Sequence, residues 1–424
     1  MAEAPNLEFA ARIGIDWADQ KHDVSLQAAD SAGVERFQIK HSPEAIAQWV
    51  AELRQRFQGG RVAIALESSR GPLVHALLEY DFLVLFPVNP RSLARFREAF
   101  APSGAKDDSP DADLLLELLV KHAERLRAWM PDDEGTRALR RLNEHRRKVV
   151  DLRTKLAQQL RAALKEYFPQ ALSWAGEELT SNLACDFLLK WPTLQAVQRA
   201  KANTIRKFYH AHNCRRGDRV EQRIREIQKA TPLTTDAAII EPSVVLVQTL
   251  ARQIKDLNPS IDRFDEEIQK RFGEHDDAEL FRSLPGSGKA LAPRLLTLFG
   301  SNRERFQSAE DIQRLSGIAP VTERSGKRHF VRWRWGASTF QRQSIHEFAL
   351  HSIRHCEWAR VYYELQRERG KKHHVAVRAL AYKWLRIIWR CWNDRMPYDD
   401  ARYTRALIDR GSPVATRLSA AAAA

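Results

Sequence analysis

Four carboxylates stand where they could share one chemistry. Asp16 and Glu67 each close a short apolar run with the pattern of a strand. Side chains at strand ends can converge on one edge of a sheet. Further on, Lys106-Asp107-Asp108-Ser109-Pro110-Asp111-Ala112-Asp113 opens a helix, and Asp108 and Asp111, three apart, share a face of it. Two strand-end acids and two helix acids make a site for hard divalent cations. Mg²⁺ takes oxygen ligands and keeps waters, so phosphate oxygens would complete its shell. Two such ions about 4 Å apart would polarise a scissile phosphate and stabilise the leaving oxygen. Asp107 and Asp113 take over if the helix phase is shifted. The competing reading makes the helix acids partners of the helix dipole and the strand-end acids plain surface.

Three further stretches carry candidate chemistry. Pro285-Gly286-Ser287-Gly288-Lys289 lacks the spacing of a Walker loop and fits the hairpin of a helix-hairpin-helix. Gly286, Gly288 and Lys289 would then offer backbone N–H groups and charge to DNA phosphates without reading sequence. An ordinary interhelix turn fits the same residues. In Glu323-Arg324-Ser325-Gly326-Lys327-Arg328-His329, a loop serine stands among cations, which suits anion binding or nucleophilic attack; a plain turn is the alternative. Ser287 and Ser338 are comparable by type. Trp333 and Trp335, interleaved with Arg332 and Arg334, can stack bases while the arginines hold phosphates. Trp384, Leu385, Ile388 and Trp392 recur at helical spacing and read as core.

The elements that must position these residues follow from the pattern. The first 130 residues read as three strands, helix, strand, helix, strand, helix, a mixed α/β sheet of the ribonuclease-H type. Ser42-Pro43 starts the first helix. Residues 131–275 read as a helical linker region. Its long helices, over Thr136–Tyr167 and about Pro242–Phe272, can pair as a coiled-coil arm, and an insertion lies between them. Residues 276–396 read as a mostly helical domain carrying the serine loop, and 397–424 as a surface tail.

The chain has 424 residues and a formal net charge of +14, which favours a polyanionic partner. Distribution sharpens this: residues 324–390 hold 16 Lys/Arg against 4 Asp/Glu, and residues 137–165 hold 10 against 2. The four cysteines have no CxxC spacing, which argues against a disulfide scaffold or zinc ribbon and fits a reducing cytoplasm. No apolar run approaches the ~18 residues of a membrane span, and the acidic N-terminus does not read as a secretory signal.

Taken together and in order, several motifs resemble a known family. Gly14-Ile15-Asp16, Ala65-Leu66-Glu67-Ser68, Val88-Asn89-Pro90 and Lys106-x-Asp108-x-x-Asp111-Ala112 resemble the N-terminal domain of the DEDD transposases of the insertion sequence 110 family. Leu284-Pro285-Gly286-x-Gly288, Arg305-Phe306-x-Ser308-Ala309, Leu315-x-Gly317-Ile318-Ala319-Pro320 and Arg324-Ser325-Gly326 resemble its C-terminal transposase domain. The resemblance implies a RuvC-like ribonuclease-H fold with Asp16, Glu67, Asp108 and Asp111 as a tetrad binding Mg²⁺. It implies Ser325 as the nucleophile that forms a covalent phosphoserine with DNA. It also implies a structured guide (bridge) RNA that pairs with donor and target DNA, and homodimers assembling into tetramers. The tetrad and the serine would come from different subunits, in a bacterial cytoplasm and at the nucleoid when active. Trp17 departs from the family, which usually has a small residue there. Arg334-Trp335-Gly336-Ala337 stands where the family has Lys-Arg-Gly-Asn. The rivals are a Holliday-junction nuclease using water, for which Ser325 has no use, and a non-catalytic nucleic-acid-binding protein.

Overall fold

The computed structural model describes residues 8–67, 71–100, 111–326, 328–332, 334 and 336–422. The chain divides into two compact units, Met1–Pro131 and Asp132–Ala424.

The first unit is a five-stranded sheet. Strands β1 (Ala11–Asp16), β2 (Lys21–Ala28) and β3 (Glu35–Lys40) form an antiparallel meander. Strands β4 (Val62–Leu66) and β5 (Leu83–Pro87) run parallel to β1, giving the order β3-β2-β1-β4-β5. Helices α1 (Pro43–Arg56), α2 (Pro72–Leu77), α3 (Pro90–Phe100) and α4 (Asp111–Lys121) complete it. The expected Ser42 cap is present, accepting from the Ala45 N–H at 3.2 Å. One core joins Ile13, Ile15, Val24, Leu26 and Ile64 to Trp49, Val50 and Leu53 of α1. The other joins Ala63, Ala65 and Phe86 to Leu93 of α3 and Leu115 and Leu119 of α4.

Gly14 decides where α4 lies. A Cβ at this position would stand 2.0 Å from the Ala112 carbonyl oxygen and 2.5 Å from the Leu116 nitrogen. Only glycine lets the helix backbone rest directly on β1. That contact sets the first turn of α4 beside the end of β1, where Asp16 is.

The second unit is built on two long helices, α5 (Glu134–Tyr167) and α11 (Ala237–Gly273). Arg146 pairs with Asp265 at 2.5 Å and Arg153 donates to Asn258 at 2.8 Å, so the helices run antiparallel. The helix expected from about Pro242 begins earlier, at Ala237, and runs through both Pro242 and Pro259. Between them, α6 (Ala171–Trp174), α7 (Asn182–Lys190), α8 (Leu194–Gln198), α9 (Ala202–Ala211) and α10 (Gly217–Lys229) gather around Phe187, Trp191 and Tyr209.

A separate core holds α12 (Ala278–Arg282), α13 (Gly288–Phe299), α14 (Ala309–Leu315), α15 (Thr339–His355), α16 (Glu357–Glu368) and α17 (His373–Asn393). Trp384, Leu385, Ile388 and Trp392 are fully buried in it, as their spacing predicts. Their indoles are also spoken for: Trp384 donates to Ser352 Oγ and Trp392 to the Gly300 carbonyl, each at 2.8 Å.

Two expectations are corrected here. The stretch 320–329 is not a loop: β6 (Val321–Ser325) and β7 (Arg328–Arg332) form an antiparallel hairpin. The last residues are not a surface tail. Helices α18 (Asp400–Asp409) and α19 (Pro413–Ala422) bring Leu407, Val414 and Ala415 into the core, and Arg417 pairs with Glu368 at 2.6 Å. Few of their residues enter the core, and Ile408 stays exposed.

Candidate active site

Asp16 is the last residue of β1, and Glu67 follows the last residue of β4. These strands are parallel neighbours with Ile15 opposite Leu66, so the two acids leave the sheet side by side. Asp111 is the first residue of α4. All three are half-buried.

Their electrostatics identify them as one cluster. Burial raises the Asp16 carboxyl above its ordinary range, and the nearby charges of Asp111 and Asp23 raise it further; Arg97 and the Trp17 N–H oppose them. Glu67 is raised by burial, then by Asp111 and Asp16, again against Arg97. Arg97, from α3, donates to the Asp111 carboxylate. Among the described residues it is the cation that lowers both Asp16 and Glu67.

Asp113 lies in the first turn of α4. Two residues beyond Asp111, it points elsewhere, accepting from Ser25 Oγ at 2.5 Å and from Arg36 at 3.0 Å. It ties α4 to β2 and β3. Asp107 and Asp108 lie outside the described residues, as does Lys106.

Sequence reasoning missed Asp23 and Arg97. Asp23 pairs with Asp16 across β1 and β2 and accepts from Gln38 at 2.7 Å. The hairpin register implied by the alternation of Val24–Ala28 was the available signal. Arg97 had none, because its role depends on where α3 passes α4.

The carboxylate oxygens are the donor class that Mg²⁺ takes, and the raised carboxyls mark a demand for positive charge that Arg97 meets only in part. To that extent the residues fit a divalent ion. Among the described residues, no three His, Cys, Asp or Glu side chains are grouped closely enough to hold one by themselves.

Ser325 is the last residue of β6, paired in register with Arg328 across the turn at Gly326, whose φ is +55°. Arg324 and Arg328 are exposed. Arg332 is engaged with Glu323 at 3.1 Å, across the hairpin. Arg334 is half-buried. Lys327, Trp333 and Trp335 lie outside the described residues. The rival serines have structural work: buried Ser287 donates to the Phe281 carbonyl at 3.0 Å, and Ser338 Oγ accepts from the Gln341 N–H at the start of α15.

The glycine turn joins α13 to an α12 of five residues. Gly286 (φ +79°) is pressed on α15, where a Cβ would meet His355 at 2.8 Å. Its smallness therefore serves packing. Gly288 and Lys289, both exposed at the start of α13, are the part of the turn open to a ligand.

With this geometry in place, comparison with known proteins is informative. Residues 13–169 match the transposase family model DEDD_Tnp_IS110, and residues 278–364 match that of the transposase IS116/IS110/IS902 family. The chain is 27% identical over 395 residues to the "Mini-circle putative transposase for IS117" of Streptomyces coelicolor, covering 92% of this chain and 95% of the relative. It is 26% identical over 397 residues to the uncharacterized 42 kDa protein of insertion element IS900 of Mycobacterium paratuberculosis, covering 93% and 98%. The "Putative transposase y4uE" of Sinorhizobium fredii is 31% identical over 212 residues, covering 48% of this chain and 57% of the relative.

Proposed function

We propose that the chain is a transposase of the IS110 family, a reading its family matches and full-length relatives support, and that it recombines DNA under the guidance of a structured RNA, through a covalent phosphoserine at Ser325. The observation that carries the catalytic half is the convergence of Asp16, Glu67 and Asp111, each from a different element, with two carboxyls raised by burial and mutual repulsion. The strand order β3-β2-β1-β4-β5, antiparallel then parallel, supports reading the first unit as a RuvC-like ribonuclease-H fold. The antiparallel pair α5 and α11 supports reading the middle of the chain as a coiled-coil arm.

In this reading Asp16, Glu67, Asp111 and Asp108 would hold Mg²⁺. The ion would supply Lewis-acid polarisation of the scissile phosphate. The chain's own residues do the rest. The Ser325 hydroxyl attacks phosphorus, an Oγ–P bond forms, and one sugar–phosphate ester bond breaks. The serine gives up its proton as the Oγ–P bond forms, and the departing sugar oxygen takes up a proton to leave as a hydroxyl. Arg324 and Arg328, exposed on the same hairpin, offset the charge that builds on the phosphate oxygens. Because one ester replaces another, a sugar hydroxyl of a second strand can reverse the step and rejoin DNA without an external energy source.

Ser325 and the acids belong to different compact units, which suits a site completed by a second subunit. We read the assembly as homodimers pairing into tetramers, acting on donor and target DNA in a bacterial cytoplasm. No described helix is long and apolar enough to cross a membrane. The guide RNA rests on the family and on the basic stretches. The test is to sequence RNA that co-purifies with the full chain, then to supply it with donor and target DNA and measure recombination. Recombination that needs this RNA supports the proposal. Recombination unchanged after ribonuclease treatment overturns the guidance.

A further inference from the structure

Arg97 stands among the acids on a single hydrogen bond. It lies one turn after Leu93 on α3, and Leu93 is buried in the core that holds Leu115 and Leu119 of α4. From there the guanidinium reaches the first residue of α4, where Nη2 donates to Asp111 Oδ1. Its charge also acts on Asp16 and Glu67, at the ends of β1 and β4. Among the described residues, Arg97 is the cation that these three carboxylates share.

Holding α4 in place does not require it. Gly14 seats the helix on β1, and Asp113, in the same turn as Asp111, is tied to Ser25 and Arg36. The side chains of Arg97 and Asp111 are 41% and 26% exposed, so water screens the pair and its contribution to stability is small. Arginines with structural work in this chain are used more fully. Arg303 gives Nη1 and Nη2 to Asp277 and Nε to the Trp392 carbonyl. Arg146 gives Nε and Nη2 to Asp265. Arg97 engages Nη2 alone; its Nε and Nη1 have no hydrogen-bond partner among the described residues.

Asp111 is half-used in the same way. Oδ1 holds Arg97, and Oδ2 has no partner among the described residues. A carboxylate in this state can ligate an ion through its second oxygen without releasing the arginine. Arg97 therefore need not be displaced when the acids are filled. Its unused N–H groups are the planar, charged donors that match phosphate oxygens.

We propose that Arg97 is a catalytic residue of the recombinase, whose remaining donors take a non-bridging oxygen of the scissile phosphate. This rests on the acids being the cleavage site. As Oγ bonds to phosphorus, and before the sugar–phosphate ester has broken, negative charge builds on the non-bridging oxygens. Arg97 offsets part of it from the first unit, as Arg324 and Arg328 do from the hairpin. The bonds made and broken are those of the phosphoserine step, and Arg97 neither gives nor takes a proton.

The test uses the full chain with its co-purified RNA and donor DNA. In a Ser325→Ala background, with Ca²⁺ in place of Mg²⁺ to prevent cutting, affinity is compared for two DNAs. One is ordinary; in the other the scissile phosphate, located from the cut ends, is a neutral methylphosphonate. Arg97→Gln should weaken binding of the ordinary DNA about ten-fold and of the methylphosphonate DNA less than about two-fold, because a charge-assisted hydrogen bond is lost only from the first. With Ser325 present, single-turnover cleavage by Arg97→Gln should fall about 100-fold and should not recover when Mg²⁺ is raised about ten-fold. Mn²⁺ affinity without DNA, measured by calorimetry, should be unchanged or tighter, since a competing cation has gone. Arg97→Lys keeps the charge without the fork and should show the same difference between the DNAs at about three-fold. It decides the matter should thermal unfolding show Arg97→Gln to be unfolded. Equal weakening on both DNAs overturns the contact and makes Arg97 a structural tie. Cleavage restored by Mg²⁺, with weaker Mn²⁺ binding, overturns it too and makes Arg97 a support for the ion. The binding comparison involves no chemistry, so the two claims separate. The expected difference without a DNA adduct at Ser325 contradicts the phosphoserine and leaves Arg97 standing; an adduct without the difference contradicts Arg97 alone.

Discussion

The acidic end of the sheet and the serine hairpin are built to opposite specifications. Asp16, Glu67 and Asp111 repel one another and are half-buried, so rigid parts must hold them: two neighbouring strands and a helix seated on Gly14. The hairpin is two five-residue strands whose apolar side chains Phe330 and Val331 are 49% and 58% exposed. Groups that resist being together need a frame, whereas the proposed nucleophile, which would have to reach a DNA strand, needs projection. The frame costs about what a packed core costs to disturb, and the hairpin should be nearly free to change.

The two glycines give the largest contrast. Gly14→Val drives a branched side chain into the backbone of α4 and should destabilise the first unit by about 3 kcal/mol or more, with cleavage lost. Gly326→Ala meets nothing within 4 Å, so only its φ of +55° matters; the expected cost is about 1 kcal/mol. Thermal unfolding followed by circular dichroism compares them. Equal losses would erase the distinction between frame and hairpin.

Charge removal should separate stability from activity. Asp16→Asn takes one repelling carboxylate out of the cluster and should stabilise the first unit by about 0.5–1 kcal/mol, a small gain because water still screens these half-buried groups. The same variant should cut no DNA. A destabilised Asp16→Asn chain would mean that the acids are structural.

The pH dependence has a definite sign. Asp16 and Glu67 have folded pKa values above their unfolded ones, so the folded state binds more protons between those values. Their contribution therefore makes the first unit less stable as pH rises from the unfolded value, near 4, through the raised folded values, and is level above them. At neutral pH Mg²⁺ should raise the unfolding temperature, and Asp111→Asn should remove that increment. An increment that survives Asp111→Asn would place the ion elsewhere.

The smallest effect belongs to the hairpin. Arg332 and Glu323 are 61% and 51% exposed, so Arg332→Gln should change stability by no more than about 0.5 kcal/mol. A larger loss would show that the hairpin is held more firmly than its exposure implies.

The legible parts of the chain were those where local chemistry and burial agree. The strands ending at Asp16 and Glu67, the Ser42-Pro43 helix start and the core tryptophans of α17 all follow from periodicity and capping. The 321–332 hairpin was read as a loop because its alternation is carried by charged residues, with no apolar face to bury. The helices after Asp399 were missed because few of their residues enter the core. Arg97 was beyond reach, since a helix crossing positions it. The pairing of Asp113 with Ser25 and Arg36 was likewise beyond reach, since it depends on how α4 crosses β2 and β3.

The most direct test is to trap the reaction on donor DNA with its RNA, digest the protein and locate the DNA-linked peptide by mass spectrometry. The predicted result is an adduct on the peptide containing Ser325, absent from Ser325→Ala and from Asp16→Asn, with partial recovery when those two variants are mixed. Efficient cleavage by Ser325→Ala, leaving free 5′-phosphate ends, would contradict the account and point to water as the nucleophile.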